Sequence, residues 1–274
     1  MRTIAIINRK GGCGKTSTAV GVAATLGEFG HRTLLIDLDP QGSASWWLGD
    51  GPIDDHGQLD AFLGTRELAA LAAPSRADGV DLIPASSSLI TAERSLQVDL
   101  ALGVIRALER LPAAWDEVLI DCPPTLGYLG SAAMCGAREV IVPTQAHAID
   151  VPGIESVIAE MDRIRGRLNP DITLTGIVVE RMNRTNHARD VAVTLRAAHG
   201  RDVLEETIRD SIRVPEAAAA GMAVTAYAPG STVAADFRAL TTEIIHRDPS
   251  AHPDEAEGQP AWRGLFDRLV GSRS

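Results

Sequence analysis

A glycine-rich octet near the start of the chain carries the strongest chemical signal in the sequence. It runs Lys10-Gly11-Gly12-Cys13-Gly14-Lys15-Thr16-Ser17. Its two lysines are the only lysines among the 26 lysine and arginine residues of the chain. Arginine ends in a wide planar fork, whereas lysine ends in a compact charge on a flexible stem that fits a phosphate-sized cradle. The retained lysines therefore indicate that the octet binds a polyphosphate.

The roles expected within the octet follow from the chemistry of phosphate binding. Glycines let backbone N–H groups approach the phosphates, at the N-terminus of a helix whose dipole favours an anion. We expect Lys15 to reach the β- and γ-phosphate oxygens and Thr16 to ligate Mg²⁺ through its hydroxyl, while Cys13 contributes only its backbone. The residues predicted to bind the nucleotide here are Gly11, Gly12, Cys13, Gly14, Lys15, Thr16 and Ser17.

Two acidic runs follow apolar segments that are typical of buried strands. Asp37 and Asp39 follow the apolar residues 34–36, and Asp121 follows the apolar residues 118–120. Strands of a parallel sheet present their C-terminal ends at the edge where ligands bind. We expect Asp121 to hold Mg²⁺, Asp39 to orient the attacking water or assist at the metal, and Asp37 to brace the site. A cap or turn role is the alternative for an acid that follows a strand.

The elements that position these residues alternate between short apolar runs and longer amphipathic segments. Strands are predicted at residues 3–8, 32–37, 80–84, 117–121, 139–143 and 172–179. Helices are predicted at residues 15–29, 88–110, 150–168, 187–199 and 233–246. Strand runs that are apolar throughout suit a parallel sheet that is covered on both faces. The sequence therefore predicts an α/β fold: a doubly wound, mostly parallel sheet with helices on both faces, of the P-loop NTPase type.

Composition narrows the class of protein. The chain of 274 residues carries a formal net charge of −10, which argues against a uniformly basic nucleic-acid coat. No stretch approaches the roughly 20 apolar residues of a membrane-spanning helix, and no signal-peptide pattern is present, so we expect a cytoplasmic protein. The three cysteines lack metal-site spacing and are expected to be reduced and buried; a cluster bridging two subunits is the alternative for Cys135.

The chain is predicted to contain one folded domain followed by two short segments. Residues 1–247 form the predicted ATPase domain. Residues 248–259 include two prolines and four acidic residues, which is typical of a flexible linker. Residues 260–274 form a short amphipathic tail.

Several motifs together resemble the deviant Walker A ATPases of the ParA/MinD superfamily. The octet resembles their phosphate-binding loop, and the run from Asp37 to Gly42 with Asp121-Cys122-Pro123-Pro124 is similar to the ParA, Soj-like branch. Segments at 140–145, 176–179, 184–186 and 212–217 are similar to later ParA segments, so the resemblance spans about residues 2 to 246.

The resemblance implies a Mg²⁺-dependent ATPase that forms a homodimer on ATP. Lys10 would be the signature lysine that reaches the phosphates of the partner subunit, acting catalytically with Lys15 and Asp39. A cation donated by each subunit offsets the repulsion between two facing triphosphates, so ATP favours association. The family hydrolyses ATP slowly, which implies that hydrolysis sets the lifetime of the dimer. A ParB-like protein or cargo adaptor would stimulate hydrolysis while a plasmid, chromosome or other large cargo is segregated or positioned.

An arginine-rich segment supplies a candidate DNA contact. Residues 181 to 213 include seven arginines and five acids, a local excess of positive charge in an acidic chain. In ParA relatives, arginines that match Arg184 and Arg213 bind double-stranded DNA without sequence preference. The predicted DNA-binding residues are Arg181, Arg184, Arg189, Arg209 and Arg213. Such contacts weaken steeply with salt, and a solvated surface is the alternative. Nucleoid association is the location that this implies.

Two further sets of residues concern the base and the second subunit. Met182, Asn183 and Pro215 are predicted to contact adenine, by analogy with the superfamily. Trp46 and Trp47 stand where the family has smaller residues, and we expect them to pack in the core or at the dimer contact.

The tail supports a rival interpretation. One helical stripe carries Trp262, Leu265, Phe266, Leu269 and Val270, and it is similar to the membrane-targeting helix of MinD. Peripheral contact with the inner membrane, a partner protein and packing on the body are three open alternatives. A MinD-like spatial regulator on the membrane is therefore the alternative function, and an adaptor that binds nucleotide without hydrolysing it is the third.

Overall fold

The computed structural model describes residues 1–53, 57–94, 98–146, 151–183 and 185–247. Its eight strands form one sheet: β1 Arg2–Ile6, β2 Thr33–Asp37, β3 Ala73–Pro74, β4 Val80–Ile83, β5 Glu117–Asp121, β6 Glu139–Gln145, β7 Thr173–Met182 and β8 Val203–Arg209. The strand order is β3-β4-β2-β5-β1-β6-β7-β8. Every neighbouring pair is parallel except β3 with β4. The predicted fold class is confirmed.

Helices cover both faces of the sheet. They are α1 Lys15–Glu28, α2 Ser43–Leu48, α3 Gly57–Phe62, α4 Leu89–Arg94, α5 Val98–Glu109, α6 Tyr128–Gly136, α7 Val151–Arg165, α8 Asn186–His199, α9 Arg213–Ala219, α10 Val224–Tyr227 and α11 Thr232–His246. One apolar core lies between the sheet and α1, α2, α9, α10 and α11. The other lies between the sheet and the helices from α3 to α8. Both faces of the central strands are therefore buried, which explains their unbroken apolar sequence.

The six predicted strands are present, and the structure adds two edge strands. β3 is only two residues long, and β8 reads Val-Leu-Glu-Glu-Thr-Ile-Arg with several exposed side chains. A strand at the sheet edge packs on fewer neighbours, so it lacks the continuous apolar run that marks the central strands. Sequence periodicity alone therefore did not reveal β8.

One helix is predicted at residues 88–110, and within this range the structure describes helical residues 89–94 and 98–109; residues 95–97 lie outside the described ranges. These two described segments, α4 and α5, contact different neighbours. Glu93 of α4 accepts a hydrogen bond from the Leu129 backbone N–H at 2.9 Å, at the start of α6. Gly103 of α5 lies against the carbonyl oxygen of Phe62 in α3, where an added methyl group would clash.

Several predictions concern residues outside the described ranges. They are the linker at 248–259, the tail at 260–274 with Trp262, Leu265, Phe266, Leu269 and Val270, and the DNA-binding candidate Arg184. These stay predictions. Among the helices that the structure describes, none combines the length and the apolar character needed to cross a bilayer.

Candidate active site

The octet forms the turn between β1 and α1, at the centre of the C-terminal edge of the sheet. Gly12 and Gly14 have φ values of 71° and 104°, in the left-handed region that favours glycine. A methyl group added at Gly14 would lie 2.6 Å from Cγ of Glu180, so the loop also packs too closely for a larger residue. The turn therefore directs backbone N–H groups and the N-terminus of α1 at one place, as an anion site requires.

Lys15 and Cys13 are close together in this turn, with Lys15 Nζ 4.0 Å from Cys13 Sγ. The Lys15 side chain is largely buried, and its Nζ donates to the Lys10 carbonyl oxygen at 3.1 Å. Lys15 lines a cavity above the loop together with Gly11, Gly12 and Gly14. Cys13 is fully buried and does not line that cavity, which agrees with a backbone-only role.

Thr16 and Asp121 meet beside the loop. The Thr16 hydroxyl donates to Asp121 Oδ2 at 2.7 Å, although the residues are 105 positions apart. The other carboxylate oxygen, Oδ1, is buried and has no hydrogen-bond partner among the described residues. Burial raises the pKa of Asp121 well above its usual value, and the negative charge of Asp37 raises it further. An oxygen buried without a partner is costly, and a cation or its bound water would satisfy it.

Asp37 and Asp39 differ in what their oxygens contact. Asp37 is paired with Asp121 in the register of β2 and β5, and its Oδ2 accepts hydrogen bonds from Ser45 N at 2.7 Å and Ser45 Oγ at 2.6 Å. Its Oδ1 accepts from Asp39 N at 3.2 Å. Asp37 therefore holds the following turn in place. Asp39 Oδ1 accepts a hydrogen bond from Gln41 N at 2.9 Å, and Asp39 lines the cavity. Burial raises the pKa of Asp39, and Lys15 opposes that rise.

The donor set fits magnesium bound together with a polyphosphate. Within the described residues, no group of three or more His, Cys, Asp or Glu side chains could hold a metal ion by itself. Thr16, Asp121 and Asp39 supply hard oxygen ligands, of the kind that Mg²⁺ prefers when phosphate oxygens and water complete its shell. A bound magnesium ion would neutralise phosphate charge in this place.

The cavity above the loop has a volume of about 820 Å³ and extends away from Lys15 toward α9. Glu180 lines it close to Gly14. The lining continues with Arg181, Ile208, Arg209, Asp210, Ser211, Ile212, Val214, Pro215 and Ala218. Pro215, one of the three predicted adenine contacts, is in this set. Met182 packs on the core of the opposite face, and Asn183 Oδ1 accepts hydrogen bonds from Thr185. Neither of these two residues lines the cavity.

The sequence analysis did not identify several residues that line this cavity. Glu180 ends the buried part of β7, and its side chain accepts a hydrogen bond from Thr18 Oγ1 at 2.7 Å. Ile212 and Val214 lie next to the predicted Pro215 and were available from the same motif. The strand β8, which carries Ile208 and Arg209, was the missing element.

The described DNA-binding candidates lie around the cavity and on α8. Arg209 is held by Asp236 of α11 through two hydrogen bonds of 2.6 and 2.7 Å, and Arg213 pairs with Glu216 at 2.8 Å. Arg181 pairs with Asp210 at 3.2 Å. Arg189 is exposed on α8. Three of these guanidinium groups are therefore partly neutralised, and DNA binding stays a prediction.

Comparison with known proteins places the chain in a family. A family sequence model described as AAA domain matches residues 1–174. The chromosome-partitioning ATPase Soj of Thermus thermophilus is 36% identical over 249 residues, which cover 90% of this chain and 96% of that protein. Chromosome partitioning protein ParA of Caulobacter vibrioides is 35% identical over 258 residues, covering 90% and 95%. The chain belongs to the ParA family of ATPases.

A solved structure of another ATP-binding protein is also similar to this chain. Cobyrinic acid a,c-diamide synthase from Mycobacterium smegmatis, in complex with an ATP analogue and magnesium, is 30% identical to this ParA-family chain, with a TM-score of 0.77. The match covers 89% of this chain and 94% of that one. The relatives Soj and ParA confirm the predicted resemblance to the ParA/MinD superfamily.

Proposed function

We propose that this chain is a Mg²⁺-dependent ATPase that dimerises on ATP, binds DNA without sequence preference and positions a large cargo. One observation carries the proposal. The buried Asp121 oxygen that lacks a partner, the Thr16 hydroxyl and Lys15 converge at the N-terminus of α1. This arrangement supplies a cation ligand and a phosphate-binding lysine at one end of one cavity.

Each residue at this end has a proposed role. Gly11, Gly12, Gly14 and the backbones of Cys13 and Ser17 would cradle the phosphates. Lys15 would stabilise the charge that develops on the transferred phosphoryl group, and Thr16 with Asp121 would hold magnesium. Asp39 would orient the attacking water, because Asp39 lines the cavity, whereas both carboxylate oxygens of Asp37 accept hydrogen bonds.

Lys10 is proposed to act across a dimer. Lys10 does not line the cavity of its own subunit, whereas its backbone is held by Asn8 Oδ1 and Lys15 Nζ. A side chain anchored in this way can extend toward a second subunit that faces the loop. Slow hydrolysis would then limit the lifetime of the dimer.

Calorimetry and light scattering test the nucleotide-dependent dimer. We expect Mg²⁺-ATP to bind and to double the mass, while ADP binds without doubling it. Lys10→Ala should retain ATP binding but remain monomeric. Asp39→Ala should bind and dimerise but release no phosphate, whereas Asp171→Ala, exposed at the opposite edge of the sheet, should behave like the wild type. Absence of any heat on titration with ATP would refute the proposal, and phosphate release by Asp39→Ala at the wild-type rate would refute the role of Asp39.

Co-sedimentation separates the proposed DNA function from the membrane alternative. Full-length protein and a chain ending at Arg247 would be spun with DNA or with anionic vesicles, in ATP or ADP. We expect ATP-dependent retention on DNA that falls steeply with salt. Vesicle binding that is lost on truncation, without DNA retention, would instead support a MinD-like regulator. Association with the nucleoid in the cytoplasm, and a ParB-like or cargo-adaptor activator, are parts of the proposal that a pull-down with Asp39→Ala would probe.

A further inference from the structure

Two adjacent tryptophans on α2 have opposite environments. Trp47 is 8% exposed, packs in the core with α1 and α11, and donates from Nε1 to the Met222 carbonyl oxygen at 2.8 Å. Trp46 is 64% exposed, although it is among the largest apolar residues of the chain. Trp46 and Trp47 both line the same cavity as the phosphate-binding loop, but Trp47 does so with a largely buried side chain. Core packing therefore explains Trp47 and leaves Trp46 without a structural role.

The Trp46 ring is nevertheless held in position. Gly51 has φ of 96°, and a methyl group added there would lie 2.7 Å from Cη2 and Cζ3 of the indole. One side of the six-membered ring therefore rests directly on the Gly51 backbone. The helix beneath is fixed on both sides of Trp46, by the hydrogen bonds of Ser45 to Asp37 and by the bond from Trp47 to Met222. A ring supported in this way loses little conformational freedom when a ligand covers it.

The cavity also has an apolar lip. Ile212, which is 70% exposed, lines it together with Val214, Pro215 and Ala218. When phosphates occupy the loop at Lys15, the remainder of the nucleotide must lie within this cavity. Pockets for planar heteroaromatic groups combine an aromatic side chain with apolar contacts, because base–aromatic stacking requires only a π-face.

We propose that the indole of Trp46 is a stacking platform for the nucleobase, with the lip at Val214 and Pro215 completing the base site. This inference rests on the proposed function, because it needs the phosphates to bind at the octet. Trp46 is a binding residue for the base and takes no part in the chemistry of hydrolysis. Stacking tolerates different bases, so Trp46 contributes affinity rather than selection of adenine.

ADP and inorganic pyrophosphate are the appropriate probes, because the proposed function keeps the ADP state monomeric. Calorimetry would compare wild type, Trp46→Ala and Trp46→Phe in the presence of magnesium. We expect Trp46→Ala to weaken ADP binding about tenfold, within the range found for removal of a base–aromatic stack. Trp46→Phe should retain most of the affinity, and the affinity for pyrophosphate should be the same in all three proteins. Because Trp46 is exposed, thermal melts should coincide.

Fluorescence provides a second readout. Binding of ADP should quench tryptophan emission in the wild type and in Trp115→Phe, and much less in Trp46→Phe, in which only the largely buried Trp47 remains at the cavity. Trp115 is a suitable control because it is buried and is bonded to Asp81 on the β4 side of the sheet.

The outcomes distinguish failure of the base platform from failure of the proposed ATPase function. If the wild type binds ADP and Trp46→Ala binds it equally well, the base platform is refuted and the proposed ATPase stands. If Trp46→Ala binds ADP normally but no longer dimerises on ATP, Trp46 is a subunit contact and the inference is overturned. If the wild type binds neither ADP nor ATP, the proposed function itself fails.

Discussion

At the scale of single residues, the carboxylates near the octet are distinguished by their contacts rather than by their positions in the sequence. Asp37 and Asp121 are neighbours across two parallel strands, and both are fully buried. Both carboxylate oxygens of Asp37 accept hydrogen bonds, from the backbone N–H groups of Asp39 and Ser45 and from the Ser45 hydroxyl. Asp121 keeps one oxygen without a partner among the described residues. The difference makes Asp37 structural and leaves Asp121 as the candidate cation ligand.

Glu180 is a fourth buried acid and lies beneath Gly14. Burial raises its pKa to about 8, while the hydrogen bond from Thr18 and the charge of Arg181 oppose the rise and Asp236 adds to it. At neutral pH the carboxyl group is therefore largely protonated. A neutral side chain under the loop does not repel the phosphates that the loop is expected to bind.

Glu180→Gln should alter how stability depends on pH. In the unfolded chain a glutamate releases its proton near pH 4.3, whereas folded Glu180 keeps it until about pH 8. Because the folded protein holds this proton more tightly than the unfolded chain does, protonation of Glu180 adds to the free energy of unfolding at low pH. This contribution is lost progressively as the pH rises from about 4.3 to about 8. Glutamine has no proton to release, so the melting temperature of wild type relative to Glu180→Gln should fall between pH 5 and pH 9, by more than about 3 °C.

Thermal melts at several pH values measure this effect. Glu206→Gln, at an exposed position on β8, is the matched control and should follow the wild type. A constant difference between wild type and Glu180→Gln across the range would show that folded Glu180 is ionised throughout.

At the scale of elements, α2 is a short helix that depends on its anchors. It has six residues and its preceding residue, Gly42, provides no side-chain cap. A helix of this length is not stable alone. Ser45 joins it to β2 and to the segment after β4, since its hydroxyl donates to Asp37 at 2.6 Å and accepts from the Ala85 backbone N–H at 2.8 Å. Through α2, these bonds also hold Trp46 at the cavity.

Ser45→Ala should lower the free energy of unfolding by about 1–3 kcal/mol, because a buried N–H group and a buried carboxylate each lose a partner. Urea unfolding followed by circular dichroism measures the change. Ser43→Ala, in the same helix but exposed, should have little effect. Equal stability of the two variants would mean that α2 is held by Trp47 alone.

At the scale of the whole molecule, the sheet is enclosed by two cores, and α11 closes one of them. Phe237 of α11 is fully buried against α1, where a methyl group added at Gly21 would lie 2.2 Å from the ring. Ile244 near the end of α11 is also buried, and Arg247 pairs with Glu243 at 3.4 Å. The octet leads into α1, and α11 packs on α1. All of this packing lies within residues 1–247.

A chain that ends at Arg247 should fold and bind nucleotide as the full chain does. We expect its melting temperature to lie within about 3 °C of the full-length value, since no core residue of the described ranges is removed. A chain that ends at Ser231 lacks α11 and should fail to fold, because the face of α1 would lose Phe237. A large loss of stability in the longer truncation would contradict the predicted domain boundary.

Much of this protein was determined by local sequence. The octet could be identified because the loop itself requires its special residues. Gly12 and Gly14 adopt positive φ, and Lys10 and Lys15 are the only two lysines in the sequence. The six central strands were identified because burial on both faces leaves an unbroken apolar run. The family followed from the same motifs, and the comparisons confirm it.

The tertiary structure decided the properties that depend on contacts between distant residues. Trp46 and Trp47 are adjacent and identical in type, yet Trp47 is buried and Trp46 is exposed. Trp47 donates a hydrogen bond to the carbonyl oxygen of Met222, which is 175 positions away in the sequence. Likewise Arg209 became the partner of Asp236 only when β8 was placed beside α11. Local periodicity does not report such pairs, because burial and hydrogen bonding are properties of the assembled sheet and its two helical layers.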